Sequence, residues 1–508
     1  RSARTWAGNA ETYVRLYEGL RAVPDGTSAL LGVEHALPSA DDLRALIAAR
    51  GPVPFASSVD RDGRSARSVI DDGWVSRPHP PVVFDGSPVD WDTLCATNRS
   101  WAFRLHAWDF MGPVLWEYER EGGDDLIDWC RDIAVSWVER FGALDSDAGE
   151  TMAWYDMALG LRAPRLAYLI EKLLERGEPS EQVETLVAAL PRHQRELFAD
   201  AAFNPRNNHG FYTAAGQMML ARRLSGVAGM ATMEKQASLR MDIVAKTQFA
   251  PDGGHLEHSP DYHRMLLGSF STALDAGLIV NPDVRARISR AAEALGWMIQ
   301  PDGRMVEIGD SPARDMIQHR TQIAEPSTAF VVSRGRRGAP TQDSMRVLAD
   351  SGYVFVRHPA PQGQDDHATA SYLSFMAGFH SRVHKHADDL SLTWFDRGRE
   401  ILVDAGRYGY SDLLPPTAPE RLEGYYYGAP ERQYVEATRA HNTLEADGRD
   451  QARRGREPYG SAVVGAREKD GFFLVRGRVD HGTWCHVVAR ARQRRGRARL
   501  QVVAQPPG

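Results

Sequence analysis

The feature that most limits what this chain can become is a change of hydrophobic period part-way along it. From about residue 101 to 298 apolar residues recur at helical spacing. In 125–141, for example, Leu126, Ile127, Trp129, Ile133, Ala134, Trp137 and Val138 fall on one broad face. Similar segments fall at about 151–175, 182–201, 211–224, 232–249, 262–276 and 284–299. Breaks such as Gly177-Glu178-Pro179-Ser180 and Asn281-Pro282-Asp283 separate them. Beyond the basic stretch Ser333-Arg334-Gly335-Arg336-Arg337-Gly338 the pattern becomes short, rich in β-branched and aromatic residues, and bounded by turn formers. Strands are predicted at 352–357, 370–376, 390–396, 400–403 and 471–475. Antiparallel helices in such number must close on themselves or stack, so an α/α toroid and an α-solenoid both fit. No fixed-period repeat favours the solenoid. The expected fold is therefore a multidomain α+β chain, with an antiparallel β-sandwich after the helices.

The predicted division is a helical domain over 1–335, its first 100 or so residues a lead-in, and a β domain over 345–508. The length of 508 residues agrees with two or three domains. A net charge of -6 argues against a nucleic-acid partner, and an acidic polymer would have to be met by a local basic groove. Cys95, Cys130 and Cys485 lie far apart in sequence and form neither a disulfide framework nor a CxxC metal motif. No run of about 18 apolar residues predicts a membrane span. No secretory leader is visible after Arg1-Ser2-Ala3-Arg4, and the compartment stays open. Residues 490–499 hold six arginines in ten and are expected to form a solvated tail, with a polyanion-binding arm as the alternative. A sandwich ending there is short of strands, so the end is expected to be truncated.

Four places carry candidate chemistry. His384 and His386, if on a strand, would point to one face of the sheet. Asp404 follows in Leu402-Val403-Asp404, and His441 opens His441-Asn442-Thr443. Two imidazoles and a carboxylate suit Zn²⁺, which takes such ligands at about 2.0–2.2 Å. The plain alternative is a set of unrelated polar residues in a β domain. The fourth place pairs Asn207-Asn208-His209-Gly210 with Glu257-His258-Ser259-Pro260-Asp261-Tyr262-His263, both at loop–helix junctions. Helix capping by Asn208 and Ser259 would explain them equally well.

The segments HSRVHKHADDLSLTWFDRGREILVDAGRYGY (380–410) and RAHNTLEADGRDQ (439–451) resemble signature segments of heparinase II/III-like proteins. NNHG (207–210) and GGHLEHSPDYH (253–263) are similar to helical-domain motifs of the same lyases, which include heparin, heparan and alginate lyases. The matches run in order through both halves and cover most of 100–480. The resemblance implies an incomplete α/α toroid followed by a β-sandwich, with the active site in the cleft between them. It assigns Asn208 to neutralising a uronate carboxylate, and His209 to the same task or to the role of base. Tyr262 would be the catalytic tyrosine and His384 a histidine brought in from the sandwich. His386, Asp404 and His441 match a structural zinc site. Tyr427, within Tyr425-Tyr426-Tyr427, resembles a further active-site tyrosine of some alginate-cutting members, with packing as the alternative, and Arg439 is a candidate for binding substrate. The family's helical-domain glutamate motifs are not clearly reproduced near Phe211-Tyr212, so no particular polymer is implied.

The implied reaction is β-elimination on an acidic polysaccharide or oligosaccharide containing uronate, which leaves a 4,5-unsaturated uronate. Hydrogen bonds to the uronate carboxylate would spread the charge that builds up as C5 loses its proton. A Tyr or His would take that proton, and a Tyr would protonate the departing O4. The rival readings are an α/α-barrel glycoside hydrolase built on Asp252, Glu257 or Asp261, a zinc hydrolase, and a carbohydrate-binding protein without activity.

Overall fold

The computed structural model describes residues 38–504, apart from 54–64, 76–80, 86–88, 93–98, 146–151, 178–180, 318–324, 359–366, 411, 455, 457–458, 470–471, 481–484 and 495–496. The opening residues, Cys95 and most of the break at 178–180 lie outside this set. A helical N-terminal region is followed by antiparallel sheet, and the changeover falls between Val332 and Met345. Two compact units partition the described chain. One comprises residues up to 244 together with 272–280, the other 245–271 and 281 onward.

The first unit holds α1 (Ala40–Arg50), α2 (Ala66–Asp72), α3 (Arg99–His106), α4 (Met111–Glu121), α5 (Asp124–Phe141), α6 (Asp156–Glu175), α7 (Glu181–Ala188), α8 (Leu190–Phe198), α9 (Asn208–Arg223) and most of α10 (Met230–Gln248). Its core is unusually rich in tryptophan: Trp74, Trp91, Trp101, Trp108 and Trp137 are all buried. The single helix predicted over 182–201 is two, α7 and α8. Pro191 is the cause: it occupies the first turn of α8, where its missing N–H costs nothing, and could not have continued α7. Helices α6 and α9 meet at two glycines. A Cβ on Gly216 would lie only 1.9 Å from the Gly160 carbonyl oxygen. This close approach lays the start of α9 beside the start of α6.

The second unit contains α11 (Pro260–Asp275) up to Ser271, α12 (Pro282–Trp297), α13 (Pro326–Val332) and the strands β1 (Met345–Leu348), β2 (Tyr353–His358), β3 (Ser371–Met376), β4 (Gly378–Phe379), β5 (Ser391–Asp396), β6 (Arg399–Leu402), β7 (Gly460–Ser461), β8 (Val463–Lys469), β9 (Phe472–Asp480), β10 (Cys485–Arg494) and β11 (Arg497–Ala504). Two short helices, α14 (Pro419–Glu423) and α15 (Pro430–Glu436), lie between β6 and β7. One sheet has the order β1-β2-β3-β5-β6, a second β11-β10-β9-β8, and β4 pairs with β7.

The two larger sheets pack face to face: Val354, Val356, Leu373, Phe375 and Leu392 of the first share a core with Phe473, Val475 and Val479 of the second. The other face of the first sheet, with Tyr353, Phe355, Tyr372 and Phe395, packs on Ala294, Trp297 and Met298 of α12 and its C-terminal end. Covered on both faces, β3 is buried along its whole length, which is why it lacks the apolar–polar alternation of a half-exposed strand, and its buried Ser374 pairs with Thr393 at 2.6 Å. The arginine-rich segment expected to be a tail lies instead in β10 and β11. These pair antiparallel, with Arg490 opposite Gln501 and Arg494 opposite Arg497.

Candidate active site

In the sheet-bearing unit, four side chains converge. His384 does not lie on a strand. It sits in the connection between β4 and β5 with a positive φ of 55°. Its ring stacks on that of Tyr262, centroids 3.6 Å apart and planes 24° from parallel. Tyr262 is in the first turn of α11, where its N–H points to Ser259 Oγ at 3.4 Å, so Ser259 does act as a cap. Ser311 fastens this turn, lying 2.8 Å from Ser259 Oγ and accepting from the Asp261 N–H at 3.1 Å. The Tyr262 hydroxyl is 3.1 Å from that of Tyr410. Tyr410 in turn donates to Asp310 Oδ2 at 3.0 Å and lies 3.2 Å from His384 Nδ1. His384 Nδ1 is 2.8 Å from the same Asp310 oxygen, and its Nε2 is 3.4 Å from Glu257.

Asp310 is the buried centre of this group. Burial alone would raise its pKa, but the imidazoles of His384 and His386 and the Arg432 guanidinium hold it well below the usual carboxylate range. Arg432 bonds both Asp310 oxygens, one of them at 3.1 Å, and is itself held by Glu436. Burial, with Asp310 and Glu257 adding to it, pushes the Tyr262 phenol up to about 12, against the pull of the Tyr410 hydrogen bond and Arg407. Burial and Asp310 likewise raise Tyr410. Gly309 makes the approach of Asp310 possible. It has φ of 53°, and a Cβ there would meet the carbonyl oxygens of His384 at 2.6 Å and His258 at 2.7 Å.

His386, Asp404 and His441 come together as a buried group in which one ligand atom from each lies within 4.8 Å of the others. Asp404 Oδ2 is 2.8 Å from His441 Nδ1. Asn442 ties the loop that bears Asp404 to the sheet, donating to the carbonyls of Val403 at 2.6 Å and Leu392 at 3.0 Å. His386 Nδ1 and His441 Nε2 are buried without a hydrogen-bond partner among the described residues. A buried imidazole nitrogen left so costs stability unless something binds it, and two such nitrogens beside a carboxylate make a donor set that fits a metal ion.

Asn208 and His209 belong to the other unit, at the start of α9. Asn207, not Asn208, caps that helix: its side chain accepts from the His209 N–H at 3.0 Å. Asn208 is therefore not needed as a cap. His209 Nδ1 is 3.0 Å from Asp156 Oδ2 and 3.3 Å from the Tyr155 hydroxyl, both supplied by the start of α6.

Tyr427 does join the first group, its ring 5.3 Å from that of Tyr410 with Arg432 over both. Burial raises its pKa. Arg439 is exposed on the 3-10 turn before His441, and no contact ties it to that group among the described residues. Sequence reasoning does not single out Asp310 or Tyr410. The signal for Tyr410 is its place within the family-like segment 380–410, and for Asp310 only a turn-like Gly309-Asp310-Ser311.

A helical region is followed by a sheet region in which Tyr262, His384 and Tyr410 gather around the buried Asp310 carboxylate. The family model for the heparinase II/III N-terminus matches residues 58–331, and that for the heparinase II/III-like C-terminal domain matches 340–495. The chain belongs to the heparinase II/III-like family. Its fold is similar to a crystal structure of heparinase III, at TM-score 0.64 and 14% identity, over 89% of this chain and 72% of that one. It is also similar to a heparan sulfate lyase from Pedobacter heparinus, at TM-score 0.60 and 15% identity, over 89% and 71%. No curated protein matches the chain.

Proposed function

We propose that this protein is a lyase that cleaves a uronate-containing polysaccharide by β-elimination. The observation that carries the reading is the Tyr262–His384 stack with Tyr410 and Asp310 behind it. The C5–H bond breaks, its electrons form the C4=C5 double bond, and O4 departs with the electrons of the C4–O4 bond. An acid and a base are needed, and the group offers one of each. Tyr262, its pKa pushed up to about 12, holds its proton and gives it to O4. His384, its Nδ1–H held by the ionised Asp310, takes the C5 proton at Nε2. Asn208 and His209 are assigned to the uronate carboxylate by the family resemblance.

His386, Asp404 and His441 would hold a zinc ion. Bound there, it would tie the loops of the sheet region together and supply no nucleophile, because elimination needs no activated water. Elemental analysis of protein purified without added metal should then show one transition metal per chain, and chelation should lower the melting temperature. A metal-free, equally stable protein would remove the zinc assignment.

One of the solved relatives is a heparan sulfate lyase, so glycosaminoglycans come first in the test panel. Heparin, heparan sulfate, hyaluronan, chondroitin and alginate should each be incubated with the protein and read by ultraviolet absorbance. At least one should yield the absorbing 4,5-unsaturated uronate. New reducing ends without that absorbance would instead identify a hydrolase, and the lyase reading would fall.

A further inference from the structure

An ionised carboxylate can only accept hydrogen bonds, so each nitrogen facing Asp310 must carry hydrogen. Asp310 Oδ1 is 3.0 Å from His386 Nε2, and Oδ2 is 2.8 Å from His384 Nδ1. The consequences for the two rings are opposite. His386 is left with a bare Nδ1, the same buried nitrogen that has no partner among the described residues and belongs to the candidate metal group. His384 has its Nδ1–H fixed by Asp310 and turns its Nε2 away, toward Glu257 Oε2 at 3.4 Å, so Nε2 is the nitrogen left to exchange a proton. We propose that Asp310 is the positioning residue of this protein, one carboxylate that sets the tautomers of both a metal ligand and the proton-transfer histidine. The half that concerns His384 rests on the lyase reading given above; the half that concerns His386 does not.

The surroundings suit the task. Arg432 bonds both oxygens and holds the carboxylate plane, while Glu436, bonded in turn by Arg453 at 2.9 Å, fixes Arg432. Asp310 is itself 1% exposed, so water does not compete for either oxygen. Gly309 carries the chain close enough to His384 for the Asp310 N–H to donate to the His384 carbonyl at 3.3 Å. Asp310 thus holds the segment 384–386 from both ends: its carboxylate meets the rings of His384 and His386, and its backbone N–H donates to the His384 carbonyl. A carboxylate behind a metal-bound histidine fixes that ring's tautomer and orientation, and here the same carboxylate also faces His384.

The test uses wild-type protein first. With histidine selectively labelled with ¹⁵N and zinc added, long-range proton–nitrogen correlation should show hydrogen on Nε2 of His386 and on Nδ1 of His384. Absence of either hydrogen overturns the proposal, and this arm does not require any variant to fold. The second arm compares Asp310→Asn with wild type, using zinc itself as the probe in competition with a chromogenic chelator. Zinc affinity should fall roughly 10–100-fold, and kcat should fall at least about tenfold with KM little changed. Unaltered zinc affinity in Asp310→Asn, or a wild-type protein that takes up no zinc, overturns it. Should the wild type release no unsaturated product from any polymer, the lyase reading fails, yet the tautomers and the zinc affinity still decide the role of Asp310 at the metal.

Discussion

A phenol pushed up to about 12 keeps its proton throughout the neutral range, so Tyr262 can give a proton but cannot readily take one. Tyr262→Phe removes only the oxygen that carries that proton and leaves the ring stacked on His384. Its kcat should drop by about 10²–10⁴-fold, the usual contribution of an acid or base, while the melting temperature stays near wild type. Steady-state rates on the polymer identified above, beside a thermal melt, check this; near-normal turnover would remove Tyr262 from the chemistry. Tyr410→Phe should have a smaller effect, since Tyr410 acts on Tyr262 through a hydrogen bond of 3.1 Å. At this scale the sequence is informative where residues sit inside a motif. Tyr262, His384, His386, Asp404 and His441 are all legible in it, and each is found in one of two groups, the half-exposed one around Asp310 and the buried His386–Asp404–His441 one. Asp310 is not legible, because its partners lie 74 and 76 residues further along the chain and a Gly-Asp-Ser turn has no signature of its own.

Elements place these side chains, and the tightest placement is at Gly309. Any side chain there would combine a left-handed backbone with contacts of 2.6 and 2.7 Å to two carbonyl oxygens. Neither oxygen belongs to a flexible side chain, so the backbone of His384 or His258 would have to move. Gly309→Ala should therefore lower stability by more than the roughly 1 kcal/mol of an ordinary strained glycine site, and should lower kcat because Asp310 and His384 are displaced together. Urea unfolding and steady-state kinetics on one preparation test both; a variant with wild-type stability and rate would show that the approach is not tight. Helices α1, α2, α13, α14 and α15 fall outside the predicted helical segments, whereas those between Asp124 and Trp297 are legible from periodicity, except where Pro191 divides one predicted helix into α7 and α8. The later strands are less so. β1 has only four residues, β8 is partly exposed along its length, and β10 with β11 carries arginines where apolar residues are the expected mark of a strand. Pairing with neighbouring strands decides such segments, and pairing partners are not visible in local composition.

Across the whole molecule, each compact unit buries histidines in the neutral form. His106 and His193 lie in the helical unit, and His255, His258 and His263 in the other, where His380 is half-buried. Burial pushes His380 and His263 down to about 4 and His106 to about 3, and lowers His193, His255 and His258 as well. The geometry around His258 shows why charging is costly: its Nε2 accepts from the backbone N–H of His380 at 2.8 Å, and a proton there would face another proton. In the unfolded chain these groups titrate near ~6.5. Between that pH and their folded values the unfolded state binds more protons, so stability is fully present above about 6.5 and is lost as pH falls through about 4. A tenfold weaker hold on a proton corresponds to about 1.4 kcal/mol, so the fully buried His263 alone contributes on the order of 3 kcal/mol that acid removes. The melting temperature should therefore fall steeply from pH 6.5 to 4.5. His258→Gln, whose amide oxygen can still accept from the His380 N–H but does not titrate, should show a shallower fall than wild type over the same range. A melting temperature flat to pH 4.5, or a variant that tracks the wild-type slope, would mean that these histidines are not what acid attacks.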